Sequence, residues 1–274
     1  MTNKLITNVI PIWSILAGYF AFTDLQLSIW FVNTSSGWAK FLEDFGEVPG
    51  LLVLYSGTFI SMLHFQSSNI KFKFPLLLSL FLVATFISIY FIAIVFRNAI
   101  IVYSFINNNL IFISILFLSL NLFAVYLLRN TRLSKLTLEY GKQSVLLGFW
   151  GYLVVIQPIK HIWGRIRFRD LDSFYYNFTP WFLPNGINGN QSFPSGHAAM
   201  SWMILPILML TPDNTLFRSI IILFIIIWGL IVPVSRVVIG AHYASDALFG
   251  ACIIILSYLI IKSKNQFEFN SESK

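Results

Sequence analysis

The sequence predicts an all-α protein, a polytopic membrane helix bundle of about eight transmembrane helices forming one domain over 1–274. Three observations carry this. Of 274 residues, 57% are hydrophobic and only 11% charged, whereas a soluble domain carries roughly 25% charged residues. The mean hydropathy is +0.76. Apolar runs near the ~20 residues needed to cross a bilayer recur along the whole chain.

Taken in order, the spans are expected at 5–23, 48–66, 74–96, 109–128, 144–160, 198–211, 219–234 and 243–261. The first is diluted by Thr7, Asn8 and Pro11. It has the position of a signal peptide but no small-residue cleavage site, and further spans follow, so it is read as a helix. Residues 24–47 alternate apolar and acidic positions and are read as an interfacial amphipathic helix ending at Pro49-Gly50. The sixth span is short. The tail KSKNQFEFNSESK is polar and expected to fray. There is no internal repeat. The single Cys252 cannot form an internal disulfide.

Eight spans put both termini on one side. That side carries Lys4, Lys71, Lys73, Arg129, Arg132, Lys135, Lys142, Arg218, Lys262, Lys264 and Lys274. The other carries Lys40 and Arg97 outside the motifs described next, with Asp24, Glu43, Asp44 and Glu47. The positive-inside rule then makes the termini cytoplasmic. The net charge of +7 therefore reads as membrane orientation rather than nucleic-acid binding.

Three polar islands interrupt the apolar pattern. In KHIWGRIRFRD, Lys160 and Arg167 lie seven apart, on one face if the segment is helical. A basic collar at a helix end would also explain them. In Pro194-Ser195-Gly196-His197 a tight turn meets a helix start, which offers free N–H groups to an anion. A plain Ser N-cap accounts for Pro194 and Ser195 but not for Gly196 with His197. In SRVVIGAHYASD, Arg236 closes one span, and His242 and Asp246 open the next at i and i+4. An Asp-capped helix with an interfacial His is the blander reading. The topology brings all three islands to one membrane face, where two histidines, a carboxylate and several cations converge.

Lys160 with six residues to Arg167, then PSGH at 194–197, then Ser235-Arg236 with five residues to His242 and three to Asp246, resembles the three-part signature of the type 2 phosphatidic acid phosphatase superfamily. The resemblance covers 160–246 and the spans that carry these motifs. It departs once: Phe168 stands where the family has Pro after the arginine. The family core has six spans, which places two additional ones before a motif-bearing core at about 144–262. The resemblance implies an enzyme that hydrolyses phosphate monoesters or pyrophosphates. By the same resemblance His242 would be the nucleophile forming a phosphohistidine, oriented by Asp246, with His197 as the general acid and then the base. Lys160, Arg167, Ser195, Gly196 and Arg236 would bind phosphate. Side-chain cations neutralise the charge, so no metal or other cofactor is implied.

A site at the extracytoplasmic boundary suits an amphiphile: a lipid phosphate, a polyprenyl phosphate or pyrophosphate, or the phosphate of a lipid-linked glycan. The long loop 168–193 supplies aromatics for the interface and Asn185, Asn188, Asn190 and Gln191 for turns or a polar headgroup. Competing readings are a sugar-phosphate phosphatase, a vanadate haloperoxidase (disfavoured by eight spans), an anion transporter using the same basic pocket, and a metal site on His197, His242 and Asp246.

Overall fold

The computed structural model describes residues 2–67, 72–95, 104 and 108–272, with side chains over 7–66, 72–95, 104 and 108–263. Lys71, Arg97 and Lys274 lie outside the described residues. The elements are α1 (Thr2–Phe31), α2 (Gly37–Phe45), α3 (Val48–Ser67), α4 (Lys73–Val95), α5 (Leu110–Leu128), α6 (Lys135–Leu146), a π-helical stretch (Leu147–Ile156), α7 (Gln157–Trp163), α8 (Gly196–Trp202), a 3-10 stretch (Leu205–Leu210), α9 (Leu216–Val238) and α10 (Ala244–Glu272). Seven of the eight expected spans are long, apolar helices. The outward side chains are themselves apolar, for example Phe22 on α1, Phe86 on α4 and Ile111 on α5. Water would not tolerate so much exposed apolar surface.

The eighth expected span is α8 with the 3-10 stretch behind it. At about 1.5 Å per α residue and 2.0 Å per 3-10 residue, residues 196–210 reach roughly 25 Å. The tighter winding thus supplies length that a short segment needs. This segment is also the centre of the bundle: α8 packs against α3, α9 and α10. Glycine on the surrounding helices permits the approach. A Cβ on Gly50 of α3 would lie 2.2 Å from the Met200 carbonyl oxygen, and one on Gly250 of α10 would lie 2.2 Å from that of Ser195. Close backbone contact through small residues is the usual way membrane helices gain packing energy.

Several boundaries differ from the sequence expectation. Pro49-Gly50 does not end the amphipathic helix. That helix is α2, and it stops at Phe45. Pro49 sits in the first turn of α3, where a missing N–H leaves no helical bond unmade. α1 runs on to Phe31 because its carboxylate at Asp24 is neutralised inside the protein. The span expected at 144–160 begins at Lys135 and widens into the π-helical stretch ahead of Pro158. There a proline lacks a donor and its ring crowds the carbonyl four residues back. The polar tail continues α10 as helix to Glu272, with no Gly or Pro after Gly250 to stop it.

α1 lies along α10, and α3 along α6, so both border the motif-bearing helices; α4 and α5 pack outside them, α4 on α3 and α5 on α4. The C-terminal ends of α1, α7 and α9 and the N-terminal ends of α8 and α10 therefore meet at one end of the bundle.

The Gly250 contact can be tested directly. Gly250→Ala forces a methyl against the Ser195 carbonyl and is expected to destabilise the protein by about 1–3 kcal/mol, read as a lower melting temperature in detergent. Gly18→Ala, at a position with nothing within 4 Å of the added methyl, is expected to stay within about 0.5 kcal/mol of wild type.

Candidate active site

Lys160 and Arg167 do not share a helical face. Gly164, at φ +62°, caps α7 in the left-handed conformation, and the chain beyond it is extended, with Arg167 at φ −72°, ψ 151°. No side chain fits at Gly164, where a Cβ would lie 2.0 Å from the Gly186 carbonyl oxygen. Lys160 instead reaches across to donate to the carbonyls of Gln191 (2.7 Å) and Pro194 (3.3 Å). It thereby fixes the entry to α8. Arg167 is half-buried and makes no hydrogen bond or ion pair with a described residue.

The guanidinium two residues earlier behaves differently. Arg165 is fully buried and donates to Asp246 Oδ1 (2.6 Å), Asp24 Oδ2 (2.9 Å), Ser245 Oγ (2.9 Å) and the Thr179 carbonyl (2.9 Å). Its plane lies 3.9 Å over the Tyr243 ring. Ser245 closes the cluster by donating to Asp24 through both its backbone N–H and its hydroxyl. From sequence Arg165 stands only as a neighbouring alternative to Arg167 in the first motif, and Asp24, Ser192 and Ser245 carry no motif signal. Asp24 lies 141 residues from Arg165, beyond the reach of any local spacing rule.

His242 precedes α10 rather than lying on it, so the i,i+4 helical relation does not hold. The pair meets another way. Asp246 is the third residue of α10, and its Oδ2 accepts from the N-cap residue's backbone N–H, that of Tyr243 (3.0 Å), and from Ser192 Oγ (2.6 Å). This is half of a capping box, and the same oxygen lies 3.6 Å from His242 Nδ1. The capping role and the carboxylate–imidazole pairing thus coexist. The His242 backbone N–H donates to the Arg236 carbonyl (3.1 Å), tying the imidazole to the end of α9. Burial pushes the His242 imidazole down to about 3 against the pull of Asp246, with the Lys160 and Arg236 charges adding to the depression. The ring is neutral at physiological pH, with Nε2 turned away from the carboxylate.

Ser195 is the N-cap of α8, its Oγ accepting from the Ala198 N–H (3.4 Å), while its own N–H donates to the Asp246 carbonyl (2.9 Å). Gly196 is buried beside it. His197 faces α2 and the turn that follows. Its Nδ1 lies 3.0 Å from Glu47 Oε1, and its Nε2 lies 2.9 Å from the Glu43 carbonyl oxygen. Arg236, 4% exposed, pairs with Glu43 Oε1 through Nη2 (3.1 Å), while its Nε and Nη1 are buried without a partner. Arg169 shares the same Glu43 oxygen at 3.2 Å.

All the sequence-predicted residues therefore gather at one end of the bundle. The Asn residues of the 168–193 loop mostly hold turns: Asn185 and Asn188 both donate to the Gly164 carbonyl, and Asn188 Oδ1 accepts from the Asn190 N–H. Asp172 accepts three backbone N–H groups, from Phe174, Tyr176 and Asn177. Among the described residues, no group of three or more His, Cys, Asp or Glu side chains is placed to hold a metal ion.

Residues 142–268 match the family model described as PAP2 superfamily. The resemblance read from the three motifs is borne out over that segment. A lipid A 4'-phosphatase of Rhizobium etli is 27% identical over 141 residues, 49% of this chain and 53% of that protein. The chain thus spans about half the length of the curated relative it matches. No solved structure matches.

Two outcomes follow from the buried charges. Arg165→Met leaves Asp24 and Asp246 buried without their cation and is expected to cost about 3–5 kcal/mol, seen as a steep fall in melting temperature. The depressed His242 value carries a sign: between about 3 and 6.5 the unfolded chain binds a proton that the folded chain refuses. Stability should therefore fall as pH drops through that window. His242→Gln should flatten that part of a melting-temperature profile.

Proposed function

We propose that this chain, whose residues 142–268 match the PAP2 superfamily, is a multi-pass membrane phosphatase that hydrolyses the phosphate ester of a lipid-anchored substrate. The observation that carries the reading is the set of unmatched donors around His242. Two buried nitrogens of Arg236 lack partners, and the half-buried Arg167, whose charge is felt at Lys160, makes no hydrogen bond or ion pair with a described residue. A buried donor left unsatisfied costs about 1–3 kcal/mol. A phosphate group brings about two negative charges and several acceptor oxygens to such donors.

The chemistry divides between the histidines. The neutral His242 uses its Nε2 lone pair to form a bond to phosphorus as the ester P–O bond breaks. His197 delivers a proton to the departing oxygen, so the alcohol leaves neutral. Water then attacks the phosphohistidine, giving its proton to His197, while the N–P electron pair returns to His242. The net change is ester plus water to alcohol plus phosphate. Lys160, Arg167 and Arg236 stabilise the charge spread over the equatorial oxygens, and the Gly196 backbone N–H closes the cradle, that of Ser195 being held by the Asp246 carbonyl. Asp246, held by Arg165 and Ser192, orients the nucleophile.

The apolar spans around the pocket favour an amphiphile that presents its phosphate at the bilayer edge. Lipid phosphates, polyprenyl pyrophosphates and phosphorylated glycolipids all fit, and the name of the Rhizobium etli relative favours the last. The described cations Lys73, Arg129, Arg132, Lys135 and Arg218 lie at the opposite end of the helices from the site. By the positive-inside rule that end is cytoplasmic and the site extracytoplasmic.

Purified protein is expected to release phosphate from such substrates in the presence of chelator, and vanadate should inhibit. Activity lost with chelator and restored by one divalent ion would point to metal-assisted hydrolysis. With labelled activated phosphate, His197→Ala should trap an acid-labile phosphoenzyme and His242→Ala none; the reverse pattern would exchange the two roles. Sidedness is tested in a Cys252→Ser background. Asn188→Cys should react with an impermeant reagent from outside, and Asn130→Cys only after permeabilisation.

A further inference from the structure

Sequence spacing gives His197 no carboxylate, yet the structure supplies one from outside the matched segment. Glu47 sits in the two-residue turn between α2 and α3, 6% exposed. One oxygen, Oε1, lies 3.0 Å from His197 Nδ1, and the other accepts from the Tyr90 hydroxyl of α4 at 2.8 Å. The second ring nitrogen, Nε2, lies 2.9 Å from the Glu43 carbonyl oxygen.

The hydrogen inventory constrains this arrangement. A carbonyl oxygen only accepts, so Nε2 carries a hydrogen. An ionised carboxylate also only accepts, so with Glu47 ionised Nδ1 carries the second hydrogen and the ring is an imidazolium. Charged and titratable groups reach Glu47 and His197 from every packed element: Arg236 from α9, Lys160 from α7, Tyr152 from the π-helical stretch, Tyr90 from α4 and the Glu43 backbone from α2. The Glu43 carboxylate is committed to Arg236 and Arg169. Glu47 is therefore the carboxylate that stabilises positive charge on the ring.

We infer that Glu47 is a positioning residue for His197, keeping it loaded with the proton it delivers and fixing which nitrogen is free afterwards. The inference rests on the phosphatase reading above. For Nε2 to give its proton to the leaving oxygen it exchanges the Glu43 carbonyl for that oxygen; the Nδ1–H stays on Glu47 and Nε2 is left carrying the lone pair. That tautomer is the one able to take a proton from water in the second step. Tyr90 holds the far oxygen of the carboxylate, as an orienting donor behind the pair.

The test uses the full-length protein in detergent with two substrates, phosphatidate (a poor leaving group) and p-nitrophenyl phosphate (a good one). Glu47→Gln removes the charge and should lower kcat on phosphatidate about 10–100-fold, with KM nearly unchanged and the nitrophenyl ester little affected, because only the poor leaving group needs the acid. Glu47→Leu also removes the acceptor that fixes the tautomer, so labelled phosphoenzyme should accumulate. Glu47→Asp should recover part of the loss. Nitrogen-15 spectra of histidine-labelled protein should show both His197 nitrogens protonated in wild type and one in Glu47→Gln. Equal losses on both substrates without phosphoenzyme accumulation, or spectra unchanged by Glu47→Gln, would overturn the inference. Should the Glu47 variants fail to fold, Tyr90→Phe keeps the question open to measurement: a selective loss on phosphatidate supports the inference and no selectivity defeats it. If wild type releases phosphate from neither substrate, nor from a polyprenyl pyrophosphate or a phosphorylated glycolipid, the phosphatase reading itself fails.

Discussion

The site end of the bundle hangs on the buried guanidinium of Arg165. It joins Asp24 of α1 to Asp246 of α10 and places both carboxylates where water does not reach. Each ion alone would cost several kcal/mol to bury, so the cluster exists only as a set. Its members come from α1, the 164–167 turn and α10, and Ser192 joins from the loop that leads into α8. Once Asp246 is fixed, its carbonyl receives the Ser195 N–H and its carboxylate receives the Tyr243 N–H. The starts of α8 and α10 are thereby set relative to one another, and with them the two histidines.

A low-dielectric surrounding makes the charge balance of this end consequential. Arg165 is matched by two carboxylates, whereas Arg236 has one, shared with Arg169. The surplus positive character lies on Arg236, with two nitrogens buried and unpartnered, and on Arg167. The paired Arg165 and the unpaired Arg167 are two residues apart in sequence, both beyond the left-handed turn at Gly164 that ends the helix. Had α7 continued, Arg167 would lie on its surface beside Lys160 and could not reach round the turn.

The helices were legible because apolar length is a signal that survives tertiary context. The three motifs were legible because Pro, Gly, His and Arg stand out in such a background. What stayed hidden is instructive. The i,i+4 spacing of His242 and Asp246 correctly paired them, but the mechanism is a capping carboxylate facing a residue outside the helix. Pro49-Gly50 looked like a stop because turn chemistry and helix-start chemistry use the same residues; the close approach of Met200 to Gly50 is a tertiary fact. Asp24, Glu43 and Glu47 were read only as charges on one membrane side. Their partners Arg165, Arg236 and His197 lie more than a hundred residues away, and no periodicity encodes that distance.

The two histidines at this end stand before differently held carboxylates. His242 is walled in by the cations that would bind phosphate, and burial with those cations pushes it down to about 3. Its carboxylate, Asp246, is already engaged by Arg165, Ser192 and the Tyr243 N–H, which drains the charge it can lend to the ring. Glu47 is less encumbered: one oxygen takes the Tyr90 hydroxyl and the other faces His197. A carboxylate neutralised by an arginine leaves its imidazole neutral and nucleophilic; a carboxylate held by a phenol leaves its imidazole room for a second proton. On the proposed mechanism, acid and nucleophile are assigned by what stands behind each carboxylate, and driving two like groups apart through their surroundings is how a single site runs both halves of a displacement.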